Sequence, residues 1–201
     1  LTDELSNNPG NDGRELSNRD ERIHKLASTL IFTSLGTPMI TEGQAYLRSK
    51  HGIRNTYNQG DRINSLRWNE RDRPHAREVL DYYKQMIAFR LSDAGRALRV
   101  PPGKTPSLNY TRFIEPGPST ALGWIVNANA ERPNIPSVMV LMNAGTEEQT
   151  FRTELPRGVW QKIGDGDTVV PSGLPTEERI RGGNTASITV PPRTAWIYRT
   201  L

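Results

Sequence analysis

The 201-residue chain is 34% hydrophobic and 24% charged with a net charge of +4, a composition that is ordinary for one or two globular domains. Its charge is dispersed, at +1 over residues 1–94 (14 basic, 13 acidic) and +3 over residues 95–201 (12 basic, 9 acidic), so we expect no nucleic-acid partner. The chain has no cysteine, which excludes disulfides and thiolate metal sites. Its apolar runs fall short of the roughly 20 residues that span a membrane, so we expect no membrane partner.

The first predicted element is a helix that follows a loop of residues 1–17. Asn18 is a favourable N-cap, and Glu21 follows three residues later as in a capping box. Apolar residues then recur at helical spacing, and Pro38 prevents continuation. We therefore predict a helix over residues 19–35.

A short apolar segment and a long polar loop come next. Residues 38–41, PMIT, are predicted to form a buried strand. Residues 52–68, GIRNTYNQGDRINSLRW, are polar, lack a helical or strand period and carry two aromatic residues, which is typical of a binding loop. A second helix is predicted from Pro74, a favoured first helical residue, to residue 92. Together these elements make one α/β unit of a larger sheet or barrel.

The second half of the chain has a different texture. Residues 99–109, RVPPGKTPSLN, are predicted to be a linker. After them, short segments rich in Val, Ile, Thr and Trp alternate with turn residues, which predicts an all-β sandwich of about 100 residues. The predicted strand segments are residues 121–129, 137–145, 150–155, 159–167, 186–190 and 193–200.

A series of linked short motifs runs from the end of the first helix through the polar loop. Its residues, in chain order, are Ser34, Gly36, Pro38, Gly43, Gln44, Arg48, Ser49, Lys50, Asn55, Thr56, Tyr57, Gly60, Asp61 and Asn64. This series resembles the C-terminal third of the starch-debranching glycoside hydrolases of the α-amylase family, above all the pullulanases and their isoamylase-like relatives. The resemblance is closest over residues 19–92, and in the second half it rests on architecture and the ending PPRTAWIY.

The resemblance implies a fold class of α/β plus all-β. Residues 1–94 would be the C-terminal end of a (β/α)8 TIM barrel, and residues 95–201 a C-terminal antiparallel β-sandwich. Within the barrel, residues 19–35 would be the seventh helix, 38–41 the eighth strand and 74–92 the eighth helix. Because ligands bind such barrels at the C-terminal ends of the strands, the polar loop would lie at the rim of a glucan cleft.

Sugar rings are bound by aromatic faces, and their hydroxyls by amides, carboxylates and guanidinium groups. We expect the substrate-binding residues to be Arg48, Lys50, Asn55, Tyr57, Asp61, Arg62 and Asn64. Alternatives stay open for three of them. Asp61 could simply cap a turn, and Arg48 and Lys50 could be solvated loop charges or could steady the loop rather than reach the cleft. The chain also departs from the family pattern, with Ala45 where Glu is frequent and Ser65 where Arg is common.

Hydrolysis of a glycosidic bond needs a carboxylic acid and a second carboxylate. The resemblance implies a retaining mechanism with an Asp nucleophile, a Glu acid/base and a third Asp in a His-Asp pair. No His-Asp pair occurs in this sequence, and in the family a sequence like LTDELSNN follows that pair. We therefore expect the catalytic acids upstream, no catalytic residue here and no hydrolysis by this chain alone. Glu42 is the acid to test, with a structural salt bridge as the competing interpretation.

For the intact enzyme, the resemblance implies hydrolysis of α-1,6-glucosidic linkages in pullulan, amylopectin or limit dextrins. The implied partners are an α-glucan and the upstream part of the same barrel. The sequence leaves the compartment open, with an extracellular or periplasmic location slightly favoured over a cytoplasmic one. No organic cofactor is expected. Residues 164–167, GDGD, suit a β-turn better than a calcium loop, and the three histidines are scattered, so we expect no metal site here, although calcium in the intact enzyme stays possible.

Two functions of other classes remain open. The chain could be a non-catalytic carbohydrate-binding module, with Trp124, Trp160 and Trp196 forming a sugar platform on the sandwich. Each of these residues lies in an alternating apolar strand, so core packing is the interpretation that we favour for them. Alternatively, the chain could be a subunit that completes a barrel supplied by another chain.

Overall fold

The computed structural model describes residues 17–51, 53, 55–100, 103–117, 120–175 and 178–201. The predicted loop over residues 1–17 lies outside the described residues except for Ser17. Among the described residues, the α-helices are α1 (Asn18–Thr33), α2 (Asp61–Asn64) and α3 (Pro74–Leu91), and 3-10 turns occupy Gln44–Tyr46, Trp68–Asp72 and Ala94–Leu98. None of these helices combines the length and apolar character that a bilayer crossing requires.

Helix α1 begins with a capping box one residue earlier than predicted. The Ser17 hydroxyl accepts a hydrogen bond from the Asp20 N–H at 3.3 Å, and the Asp20 carboxylate accepts one from the Ser17 N–H at 3.3 Å. The prediction of Asn18 as N-cap with Glu21 as its partner was therefore wrong. Glu21 instead pairs with Lys25 at 2.7 Å and with His75 Nδ1 at 2.7 Å, because its side chain is free to face α3.

Helix α3 starts at Pro74 as predicted and packs along α1. Its fully buried face includes Tyr82 and Tyr83, whose hydroxyls bond to α1: Thr29 is the partner of Tyr82, and Ser28 donates to Tyr83 at 2.8 Å. Tyrosine is well suited to such an interface because its ring packs like phenylalanine while its hydroxyl satisfies a neighbouring polar group. The two helices therefore form one rigid pair.

Arg90 of α3 binds the C-terminal end of α1 and the residues that follow it. The guanidinium group is buried and donates to the carbonyls of Phe32 at 2.5 Å, Ser34 at 3.0 Å and Leu98 at 3.3 Å, and also to that of Gly36. Carbonyls at a helix C-terminus lack partners within the helix and carry partial negative charge, so a buried cation stabilises them. Arg90 thus fixes the chain as it leaves α1.

The strand predicted over residues 38–41 is not formed in this structure. These residues have no helix or strand assignment, and Met39 is 87% exposed. A β-strand is defined by hydrogen bonds to a neighbouring strand, and in the described part of the chain no strand lies beside this segment to supply them. The prediction of a buried strand was therefore wrong for the chain as it stands.

The second half is almost entirely antiparallel β-structure. Its described strands are β1 (Thr111–Ile114), β2 (Ala121–Val126), β3 (Val138–Asn143), β4 (Gln149–Glu154), β5 (Val159–Gly164), β6 (Arg179–Arg181), β7 (Thr185–Val190) and β8 (Thr194–Thr200). Six of them form one sheet in the order β1-β2-β3-β8-β5-β6, and β4 pairs with β7 in a second sheet. All six predicted segments contain strands, whereas the short edge strands β1 and β6 were not predicted.

The central strand β3 of the six-stranded sheet is buried on both faces. On β3, Val140 packs in a cluster with Met86 of α3, whereas the adjacent Leu141 packs in a cluster with Phe151 and Ile188 of the smaller sheet. Since successive side chains of a strand point to opposite faces, the large sheet lies between the helices and the small sheet. Truncating a large buried side chain in either cluster is expected to cost about 2–5 kcal/mol.

One apolar cluster therefore crosses the predicted domain boundary between residues 94 and 95. The connection is reinforced by polar contacts, because Tyr110 donates to the carbonyl of Ala97 at 2.8 Å and Arg132 donates to the carbonyl of Arg99 at 3.2 Å. Residues 103–109 form neither helix nor strand, as a linker would. The division into 1–94 and 95–201 remains a prediction.

Candidate functional site

The segment after α1 is held in place by Gln44. Its side-chain amide donates to the Tyr83 hydroxyl at 2.8 Å, and its amide oxygen accepts from the Thr41 N–H at 3.1 Å. Next to it, Gly43 has a φ of 81°, and an added Cβ would lie 2.7 Å from the side chain of Arg48. Only glycine therefore fits at this turn, which is tied directly to the helix pair.

Three of the seven predicted substrate-binding residues hold the loop together. Arg48 donates to the carbonyl of Asn64, Lys50 donates to the Thr56 hydroxyl at 2.7 Å, and Asn64 donates to the carbonyl of Thr56 at 2.6 Å. These contacts bring the beginning and the end of the loop together. Arg48, Lys50 and Asn64 are therefore positioning residues in this structure, and the interpretation of Arg48 and Lys50 as freely solvated charges was wrong.

The other four predicted residues, Asn55, Tyr57, Asp61 and Arg62, are exposed. Tyr57 is 84% exposed, and within the described residues none of the four side chains makes a hydrogen bond. Asp61 and Arg62 lie in the first turn of α2, whose Ile63 is buried beneath them. The loop therefore presents an amide, a phenol, a carboxylate and a guanidinium group to solvent from a braced backbone.

Trp68, at the end of the loop, belongs to this surface but was not among the predicted site residues. It is 60% exposed, and its ring centroid lies 6.0 Å from that of the buried Tyr46. Glu70, in the same 3-10 turn, is buried and pairs with Arg67 at 3.5 Å and Arg73 at 3.3 Å. The sequence signal for Trp68 was its position at the end of a predicted binding loop. No signal in the sequence indicated the ion pairs of Glu70.

No family model matches the chain. The pullulanase of Bacillus subtilis (strain 168) is 33% identical over 86 residues, which is 43% of this chain and 12% of that protein. The chain is a pullulanase homologue.

Solved pullulanase structures share its fold. That of Bacillus acidopullulyticus pullulanase matches 94% of this chain at a TM-score of 0.72 and 25% identity, over 22% of its own length. A complex of Anoxybacillus sp. LM18-11 pullulanase with maltotetraose matches 93% at a TM-score of 0.64 and 19% identity, over 24% of its length. A Paenibacillus barengoltzii pullulanase complex with maltohexaose and α-cyclodextrin matches 88% at a TM-score of 0.58 and 24% identity, over 26% of its length. This chain thus spans about a quarter or less of these relatives.

In this pullulanase homologue, Glu42 is exposed, and its carboxylate has no ion-pair partner among the described residues, so the salt bridge expected for it is not found there. The described residues contain no group of three or more His, Asp or Glu side chains placed to hold a metal ion. In the 164–167 turn, the Asp165 carboxylate accepts hydrogen bonds from the N–H groups of Asp167 at 3.0 Å and Thr168 at 2.8 Å. That pattern is a turn closed by a side-chain carboxylate that accepts from the backbone.

The three tryptophans of the sheets do not form a shared platform. Trp160 is fully buried between the two sheets, and Trp124 is buried on the face toward the helices. Trp196 is half-buried, and one side of its ring is covered by Lys162, whose Nζ lies 3.1 Å from the ring centroid. Core packing, the favoured interpretation, holds for Trp124 and Trp160.

Proposed function

We propose that this chain is the C-terminal part of a debranching glycoside hydrolase that cleaves α-1,6-glucosidic linkages in pullulan, amylopectin or limit dextrins by a retaining mechanism. The observation that carries the proposal is the 33% identity to a pullulanase over 86 residues. In this proposal, residues 1–94 are the last unit of a (β/α)8 barrel and residues 95–201 are a C-terminal β-sandwich. The catalytic acids belong to earlier barrel strands.

The braced loop supports a role in glucan binding. Arg48, Lys50 and Asn64 fix its backbone, so the exposed Tyr57 and Asp61 are presented at little entropic cost on binding. A phenol ring and a carboxylate are suited to the apolar face and the hydroxyls of a glucose unit. The complexes of related pullulanases with maltotetraose and maltohexaose make a linear α-glucan the ligand of choice for a test.

The surface beside the loop supports a place within a larger barrel. Leu35, Met39 and Ile40 are exposed although all three are large and apolar. In the proposed enzyme, the preceding barrel strand would pair with residues 38–41 and cover these side chains. A barrel completed by a second chain would cover them equally, and that alternative also stays a prediction.

The full chain provides the test. We expect it to release no reducing sugar from pullulan, yet to bind maltotetraose weakly in saturation-transfer NMR. Asp61→Ala is expected to weaken binding by about tenfold, the effect of losing a hydrogen bond to a charged group. Asp72→Ala, an exposed acid in the neighbouring 3-10 turn, is the matched control and should change it less than about twofold.

Reducing sugar released by pure chain would place catalytic acids within it and contradict the proposal. Equal binding of maltotetraose by the parent chain and Asp61→Ala would remove Asp61 from the site. Absence of any maltotetraose binding by the parent chain would refute the glucan-binding role of the loop.

A further inference from the structure

Trp68 differs from the other tryptophans of the chain in its exposure. Of the four, Trp124 and Trp160 are buried and Trp196 is half-buried under Lys162, whereas Trp68 is 60% exposed. A single exposed apolar side chain is common on protein surfaces and needs no function. Evidence for a function must therefore come from the residues around Trp68.

The ring of Trp68 is held on a rigid support. Its backbone begins a 3-10 turn, and the buried Glu70 ties that turn to residues on both sides through Arg67 and Arg73. Behind the ring, the buried Tyr46 lies at 6.0 Å between centroids with the planes inclined at 38°. An aromatic ring that is already fixed loses little conformational entropy when a ligand stacks on it.

Arg67 precedes Trp68 in the chain and carries polar groups to this part of the surface. One of its guanidinium nitrogens lies 2.6 Å from Nε2 of the exposed His51. The Tyr46 hydroxyl is buried and has no hydrogen-bond partner among the described residues. A sugar has an apolar C–H face bordered by hydroxyls, so a flat ring with hydrogen-bonding groups around it matches that chemistry.

We propose that Trp68 is a stacking platform for one glucose unit of an α-glucan, with Tyr46 fixing the ring and Arg67 and His51 meeting the sugar hydroxyls. The inference rests on the proposed glucan-binding role of the loop. It adds an aromatic contact with the sugar to the polar contacts already proposed. Trp68 and Tyr57 then give the loop two aromatic contacts.

The experiment is a maltotetraose titration of the full chain, followed by tryptophan fluorescence and, independently, by saturation-transfer NMR. The parent chain should show a saturable fluorescence change. Trp68→Phe should lose that change while keeping NMR-measured affinity within about threefold, because a ring remains. Trp68→Ala should bind roughly tenfold more weakly. Phe113→Ala is the matched control, since Phe113 is 63% exposed but lies on β1, and it should bind as the parent does.

A measurement without substitution guards against misfolded variants. N-bromosuccinimide oxidises exposed tryptophan, so peptide mass mapping should find Trp68 modified in the parent chain and protected by maltotetraose. If the parent binds maltotetraose in the NMR experiment but Trp68 is not protected and Trp68→Ala binds equally well, the platform is refuted while the proposed function stands. If the parent does not bind at all, both are refuted together.

Discussion

Burial of His24 is predicted to make the folded chain lose stability as the pH falls below neutrality. The imidazole is 2% exposed in the interface between α1 and α3, with its ring centroid 6.0 Å from that of Tyr83. Its Nδ1 has no hydrogen-bond partner among the described residues. Burial lowers the pKa of His24 from 6.5 to about 4, because the charged imidazolium is poorly solvated there.

The sign and size of the effect follow from the two pKa values. Between them, the unfolded chain binds a proton at His24 that the folded chain does not, so acid favours unfolding. The contribution is fully present above the unfolded pKa of about 6.5 and is lost as the pH falls toward the folded value of about 4. The difference between the two pKa values corresponds to about 3 kcal/mol in the free energy of unfolding, of which about 2.5 kcal/mol is lost by pH ~4.5.

The assay is urea unfolding followed by far-ultraviolet circular dichroism near pH ~7.5 and pH ~4.5. Between these values, the free energy of unfolding of the parent should fall by about 2.5 kcal/mol more than that of His24→Gln. Ser28→Ala removes the 2.8 Å hydrogen bond to Tyr83 but keeps the imidazole, so it should be less stable at both pH values and show the parent's pH dependence. Parallel pH dependence in the parent and His24→Gln would refute the reasoning.

Two further predictions concern the contacts that α3 makes with the segment after α1. Arg90→Met should lower the free energy of unfolding by about 3–5 kcal/mol, because buried carbonyls lose a charged donor. The control Arg96→Met breaks only the exposed pair with Asp93 and should cost less than about 1 kcal/mol. Equal losses for the two variants in urea unfolding would contradict this prediction. Tyr83→Phe should release Gln44 and weaken maltotetraose binding severalfold in NMR titrations while the circular dichroism spectrum is unchanged, and unaltered affinity would show that this link does not position the loop.

The elements that the sequence predicts well are those with local signals. Pro74 marks the start of α3, and a short continuous apolar run that precedes turn residues marks the central strand β3. The first cap was misplaced because two good N-cap residues, Ser17 and Asn18, are adjacent, and the choice depends on which acid reaches back. The strand over residues 38–41 depends on partners outside the segment, so no local pattern could establish whether it forms.

The candidate site was likewise predicted only in part from the sequence. Residue types and loop composition were enough to select the segment, and Asn55, Tyr57, Asp61 and Arg62 are exposed there. The distinction between presented and bracing residues depends on contacts between distant parts of the loop, such as Arg48 with the carbonyl of Asn64. Trp68 was missed for a similar reason, because its support by Tyr46 is visible only once the chain is folded.

The apolar cluster that joins Met86 of α3 to Val140 and Ile197 of the large sheet has a consequence for protein engineering. Grafting the β-rich half onto another enzyme would leave these sheet residues facing an unfamiliar helix surface. Chimaeras between homologues should therefore carry α1, α3 and the strands together, with crossover points placed before Ser17 rather than in the predicted linker at residues 103–109.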